Sequence, residues 1–242
     1  MLLCMAFQKS RLTLSNNDVH IWRVFLDQPA TCVRQLALEL SADEQDRARC
    51  FYFEQARTRF IVARGFLRRI LSYYLGIEPG QLQFRYGDYG KPALAESSNA
   101  GSLRFNLSHS HELALYAVTL GREVGIDIEH MRHIPEVEQL VERFFSAQEI
   151  AAFRALHPNE RYEAFFKLWT RKEAYLKVTG AGLSLPPHRF VVSLNEPAQL
   201  LNAAGKPQEA ARWSLQDLRS VPGYAAALAV EGARYQLAYY QY

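Results

Sequence analysis

Cysteine is scarce in this 242-residue chain: Cys4, Cys32 and Cys50 are the only three, and none forms a CxxC pair. That spacing offers neither a disulfide framework nor a thiolate zinc site, and it suits a reducing compartment, so a cytoplasmic protein is expected. No apolar run approaches the roughly 20 residues a membrane helix needs. The longest lies around Tyr224 to Val230. The opening MLLCMAF has no preceding basic stretch and does not read as a signal peptide. A GxGxxG loop, a Walker loop and a GxSxG elbow are all missing, which removes the usual phosphate cradles and the hydrolase nucleophile. Low-complexity linkers and close repeats are missing too. Charge of one sign is also lacking, since 28 Lys and Arg stand against 25 Asp and Glu, a formal net charge of +3. With 49% hydrophobic and 22% charged residues, the chain is neither disordered nor a coiled coil nor collagen-like.

Read along the chain, residues 19–26 alternate like a half-buried strand. Ser41-Ala42-Asp43-Glu44 has capping-box form and starts a basic helix that breaks near Glu54-Gln55. Ala56, Phe60, Ala63, Leu67, Ile70 and Tyr74 then mark one face of a helix stopped by Gly76. Turns are expected over Gly87–Pro92 and Glu96–Gly101, followed by strands over 103–107, 113–120 and 124–129. A second capping box, Ser146-Ala147-Gln148-Glu149, opens a helix ending near Pro158, and 160–178 reads as a long helix before Gly180 and Gly182. Helices set between antiparallel-looking strands predict an α+β fold.

Three patterns carry chemistry. In Val124-Gly125-Ile126-Asp127-Ile128-Glu129, period-two geometry puts Asp127 and Glu129 on one strand face, ~6.6 Å apart at Cα. Carboxylates so spaced can converge on a hard cation, and a solvated acidic face is the other reading of the same pattern. On the following long helix, Glu173 falls on the apolar stripe Tyr162, Phe166, Trp169, Leu176, with Lys177 one turn on. A carboxylate at such a position requires a partner cation. Seven arginines (47, 49, 57, 59, 64, 68 and 69) lie between Arg47 and Arg69 with Glu54 the only acid, which suits a phosphorylated ligand or a solvated helix face. Before Gly121 there are 14 basic and 11 acidic residues, and after it 14 of each, so the basic excess lies in the first half. His109-x-His111 and His130-xx-His133 match no zinc signature.

The motifs GKP (90–92), FNLSHS (105–110), GIDIE (125–129), RFFSAQE (143–149), WTRKEAYLK and GAGLSLP (169–186), in this order, resemble the Sfp-type 4′-phosphopantetheinyl transferases, from about Leu40 to Leu185. The resemblance implies two similar α+β subdomains, 1–121 and 122–242, related by a pseudo-twofold, with coenzyme A in the cleft between them. It implies Mg²⁺ held by Asp127, Glu129 and Glu173. Arg47, Arg59, Lys91, Pro92, Ser108, His109 and Lys177 are the implied coenzyme contacts. Glu44 departs from the pattern, standing where a well-known relative has a second basic residue near the 3′-phosphate. The implied reaction moves 4′-phosphopantetheine from coenzyme A to a serine of an apo acyl or peptidyl carrier protein. Glu173 is the first candidate for the base, Glu149 the second, and Lys177 the candidate acid. The resemblance further implies a monomer acting on neither nucleic acid nor membrane, and the segment His130 to Phe144, by its position beside the implied metal site, is the expected carrier-docking region of the second subdomain. An Mg²⁺-dependent nuclease and a non-catalytic binder of coenzyme A or carrier are the competing readings. Residues 187–242 carry no motif and are expected to complete the second half's core.

Overall fold

In a computed structural model, residues 12–95, 101–180, 182–203, 205–219 and 221–242 are described. Cys4, Ala181 and most of the expected Glu96–Gly101 turn lie outside them. The first half runs β1 (Asp18–Phe25), α1 (Ala30–Glu39), α2 (Ala42–Arg49), α3 (Glu54–Leu75), β2 (Phe84–Tyr86), β3 (Pro92–Leu94), β4 (Leu103–Ser110) and β5 (Leu113–Leu120). The second runs β6 (Val124–His130), α4 (Val137–Phe144), α5 (Ala147–Ala155), α6 (Pro158–Thr179), β7 (Phe190–Val192), β8 (Leu200–Ala203), α7 (Pro207–Ala211), β9 (Trp213–Asp217), β10 (Tyr224–Glu231) and β11 (Gln236–Gln241).

The two halves repeat one topology. A strand leads to a 22-residue helix, and a later antiparallel hairpin returns its second strand beside the first, giving β1-β5-β4 and β6-β10-β9. Each long helix is stopped by a glycine in the left-handed region, Gly76 at φ 68° and Gly180 at φ 67°, where a side chain would be strained. The fold is therefore α+β with two similar subdomains. One strand breaks the division. β11, expected in the second half, pairs in parallel with β1 and becomes the edge of the first sheet.

Each helix buries an apolar stripe on its own sheet: Phe66, Leu67 and Ile70 meet Trp22, Val24 and Tyr116, while Leu168, Tyr175 and Val178 meet Ala227 and Ala229. A third core joins the halves, formed by Val19, Ile21, Leu113, Leu115 and Ala117 against Val124, Ile126, Ile128, Leu228 and Val230. Burial of this kind contributes roughly 25 cal/mol per Å² of apolar surface, so the seam is held by packing rather than by a linker. Beside that seam, β4 approaches β6 with polar side chains. Among the described residues no helix is long and apolar enough to cross a membrane.

Candidate active site

Alternation along β6 sends Val124, Ile126 and Ile128 into the inter-half core and turns Gly125, Asp127 and Glu129 toward α6. A β-carbon on Gly125 would lie 2.2 Å from the Ala174 carbonyl oxygen and 2.5 Å from the Val178 nitrogen. Only glycine allows so close an approach of helix backbone to strand. Glu173 and Lys177, the residues just before those two contacts, are thereby carried to Asp127. Lys177 Nζ donates to Asp127 Oδ1 at 2.6 Å and to Ser108 Oγ at 2.7 Å, and the Ser108 hydroxyl donates to the same Oδ1 at 2.9 Å.

Burial holds all three carboxylates above their ordinary pKa range. Burial raises the Asp127 pKa, although Lys177 and Ser108 oppose the rise. Glu129 is raised by burial and by the Asp127 charge, against the hydrogen bond from Ser110. Glu173 is pushed up to about 6 by burial and then by Asp127 and Glu129, with Lys177 acting the other way. The Asp127 charge thus reaches both glutamates, which places it near each of them. Asp127 Oδ2 is buried with no hydrogen-bond partner. Among the described residues no three Asp, Glu, His or Cys side chains are gathered at metal-ligating range. Lys177 supplies the positive charge on Asp127. An all-oxygen donor set with one buried oxygen unpartnered nonetheless suits a hard divalent cation.

β4 supplies the opposite wall. Asn106, Ser108 and Ser110 alternate onto one face, and each meets β6: Asn106 Oδ1 accepts from Ile126 N at 2.9 Å, Ser108 binds Asp127, and Ser110 Oγ donates to Glu129 Oε2 at 2.7 Å while accepting from His130 N at 3.0 Å. A cavity of about 450 Å³ opens here, lined by Tyr89, Lys91, Pro92, Ser108, His109, Glu173 and Lys177 among others. A neighbouring chamber of about 900 Å³ shares Lys91, Pro92 and Gly180; none of the three carboxylates lines it, whereas Glu173 lines the smaller cavity. The surrounding protein lowers the pKa of His109, and the charges of Lys177 and Arg59 lower it further. Arg59, thus close to His109, is held by Asp27 at 3.2 and 3.5 Å. Lys91 Nζ donates to the Val178 carbonyl at 3.3 Å, and burial lowers its pKa.

Other expected residues stand apart. Both oxygens of Glu149 accept from Lys172 Nζ, at 2.7 and 2.8 Å, and they also accept from Ser146 N and Val192 N. This buried carboxylate has no lone pair to spare for a substrate, and the structure corrects the expectation of a second base: Glu149 caps α5 and neutralises Lys172. Glu44 is buried with Arg68 at 2.7 Å and Arg64 at 3.3 Å, so its charge is spent internally rather than facing the cleft. Arg64, Arg68 and Arg69 are likewise buried in ion pairs, leaving Arg47 exposed over the Phe60 ring. Asn106 and Ser110 were not anticipated, although the polar alternation in FNLSHS was there to be read. Nor was the contact of Tyr89 with Gly182, where an added β-carbon would lie 2.7 Å from the ring.

The family model described as the 4′-phosphopantetheinyl transferase superfamily matches residues 123–229, and that described as 4′-phosphopantetheinyl transferase, N-terminal, matches 27–120. The chain is 44% identical over 232 residues to the 4′-phosphopantetheinyl transferase HetI of Nostoc sp., covering 96% of this chain and 95% of that one. A 4′-phosphopantetheinyl transferase of Bacillus subtilis is 31% identical, with 73% of this chain and 77% of its own length covered. The 4′-phosphopantetheinyl transferase Sfp of Bacillus subtilis strain 168 is 28% identical, with 74% and 79% covered.

Proposed function

Because the chain belongs to the 4′-phosphopantetheinyl transferase superfamily, we propose that its β4–β6–α6 cleft binds coenzyme A and passes the 4′-phosphopantetheine group to a serine hydroxyl of an apo acyl or peptidyl carrier protein. The observation that carries this reading to particular atoms is the meeting of Glu173, Lys177 and Ser108 in one cavity, with the buried Asp127 bonded to Lys177 and Ser108 behind them.

In the reaction the serine oxygen attacks the phosphorus that bears pantetheine. The bond to the bridging pyrophosphate oxygen breaks, and 3′,5′-ADP leaves. Glu173 is the proposed base: at about 6 its pKa leaves it ionised at neutral pH yet basic enough to accept the serine proton. Lys177 is the proposed donor to the departing oxygen, which it can also stabilise by charge. Ser108, His109 and Arg59 are proposed to hold the phosphates, Arg47 to reach the 3′-phosphate, and Lys91 with Pro92 to flank the adenine. Asp127, Glu129 and Glu173 would hold Mg²⁺, which when bound supplies the positive charge a pyrophosphate needs to accept an attacking oxygen.

Residues 1–121 are proposed as the coenzyme-binding side and 122–242 as the side that holds the cation and receives the carrier. Met131, Ile134, Leu140 and Phe144 make a half-buried apolar surface next to Glu129, and Arg132 and Arg143 stand exposed beside it. Such a surface suits an acidic carrier, because charge complementarity speeds encounter. Arg132→Glu or Arg143→Glu should weaken carrier affinity, and unchanged affinity would contradict the assignment. A complete cleft within one chain and sparse cysteine support a cytoplasmic monomer. The test of the whole reading is the mass of an apo carrier incubated with enzyme, coenzyme A and Mg²⁺. A gain of one phosphopantetheine group that EDTA prevents is expected. No gain with any of several carriers would refute it.

A further inference from the structure

Strands β2 and β3 are three residues each and pair only with one another, too little to hold a fixed place unaided. Phe84 and Leu94 pack them on the first core, and a buried charge cluster grips β2 as well. Glu44 on α2 faces Arg64 and Arg68 on α3, and these side chains are 1%, 9% and 0% exposed. Two guanidinium groups against one carboxylate leave a surplus positive charge in the interior, and an uncompensated buried charge is costly. β2 and the segment before it provide the compensation. Arg68 Nη1 donates to the carbonyls of Pro79 and Leu82 at 2.8 and 2.9 Å, and its guanidinium lies 5.1 Å from the Phe84 ring. Arg64 lies 5.7 Å from Phe84 and 5.4 Å from Tyr86, and its Nη2 donates to the Tyr86 hydroxyl. Aromatic faces attract cations in this geometry.

Tyr86 is the last residue of β2 and pairs in register with Pro92. The Gly87–Lys91 segment between them is closed by Gly87 N to Lys91 O at 3.0 Å and Gly90 N to Gly87 O at 2.8 Å. This segment crosses to the second half, where Tyr89 packs on Gly182 and Lys91 binds the Val178 carbonyl. Its residues line both the 450 Å³ cavity and the 900 Å³ chamber.

We infer that Tyr86, gripped by Arg64 and through it by Glu44, is a positioning residue that sets where Lys91 and Pro92 stand over the coenzyme. The acidic residue at position 44 is thus part of the coenzyme site's support and not of its phosphate contacts. The inference rests on the coenzyme A reading above.

Tyr86→Phe tests it, because the ring stays over the guanidinium while the hydroxyl is lost. Calorimetry should show coenzyme A dissociating about three- to tenfold more readily, the range expected for one lost hydrogen bond. KM for coenzyme A should rise in parallel, with kcat within about twofold and KM for the carrier unchanged. Proteolysis within Gly87–Gly90 should also quicken. Arg64→Met should give the same selective loss, and adding Tyr86→Phe to it should weaken binding no further. Coenzyme A affinity unchanged in Tyr86→Phe would overturn the inference, as would equal changes in kcat and both KM values. Wild-type protein that binds no coenzyme A would overturn the underlying reading and this inference with it, and that failure shows in the wild type alone.

Discussion

The two halves place the same strand–helix face to opposite uses. In the second, β6 offers α6 a glycine and two acids, and the space so opened is charged. In the first, β1 offers α3 His20 and Trp22, and the space is filled. Tyr74 precedes Gly76 by two residues, as Val178 precedes Gly180, so the tyrosine stands where the helix backbone closes on Gly125. Trp22 Nε1 donates to the Tyr74 hydroxyl at 2.8 Å, and that hydroxyl also shares a hydrogen bond with His20 Nδ1, 2.9 Å away. Tyr240 stacks on Trp22 at 4.7 Å and lies 4.9 Å from His20, contributed by the strand β11 that the second sheet has no counterpart for. One copy of the repeat is packed and neutral. The other is polar and under electrostatic strain, which is where functional groups with shifted pKa values are concentrated.

Substitutions that fill or discharge the second face should therefore abolish transfer, while those in the first should cost stability alone. The largest effect is expected from Gly125→Ala, whose methyl would meet backbone at 2.2 and 2.5 Å and drive α6 off β6; transfer should become undetectable. Glu173→Gln keeps the shape but removes the proposed base and one proposed cation ligand, and kcat should fall by at least about 10²–10³. Tyr74→Phe, at the matching place in the first half, strands the buried His20 and Trp22 nitrogens. It should lower unfolding free energy by about 1–3 kcal/mol, read by urea titration, with kcat within about twofold. If Tyr74→Phe instead silenced transfer, the division between the halves would fail.

The smallest effect concerns pH. Burial lowers the His20 pKa below its ordinary value of 6.5. Above 6.5 the ring is neutral folded or unfolded. As pH falls through 6.5 the unfolded chain takes up a proton that the folded chain refuses, so stability declines until the lower folded value is reached. His20→Asn should flatten that part of the stability curve relative to wild type, and an unaltered slope would show that His20 does not set it.

Much of the site was legible because it rests on local periodicities. Period two placed Asp127 and Glu129 on one face, and the apolar stripe of α6 placed Glu173 inside. Ser146 and Glu149 cap α5 as their spacing predicted, with Glu149 N donating to Ser146 Oγ at 3.3 Å and Ser146 N to Glu149 Oε2 at 2.7 Å. What spacing could not show is that Lys172 would bury its charge against the same Glu149, a partnership 23 residues apart. Nor does an arginine-rich run disclose which guanidinium groups turn inward; that depends on where Glu39 and Glu44 come to rest. The helices α1 and α4 leave little mark in the sequence because they bury little, Cys32 and Leu36 in one and Val141 in the other. Among strands, β11 alternates well enough in sequence, but its parallel partner lies over 200 residues away and is chosen by the aromatic cluster around Trp22.

The central claim is that the cation and the chemistry belong to the second face alone. Calorimetric titration of Mg²⁺ into the coenzyme-saturated protein tests it most directly, comparing wild type, Asp127→Asn and Trp22→Phe. Binding should be lost in Asp127→Asn and retained at wild-type strength in Trp22→Phe. Undiminished Mg²⁺ binding by Asp127→Asn would contradict the account.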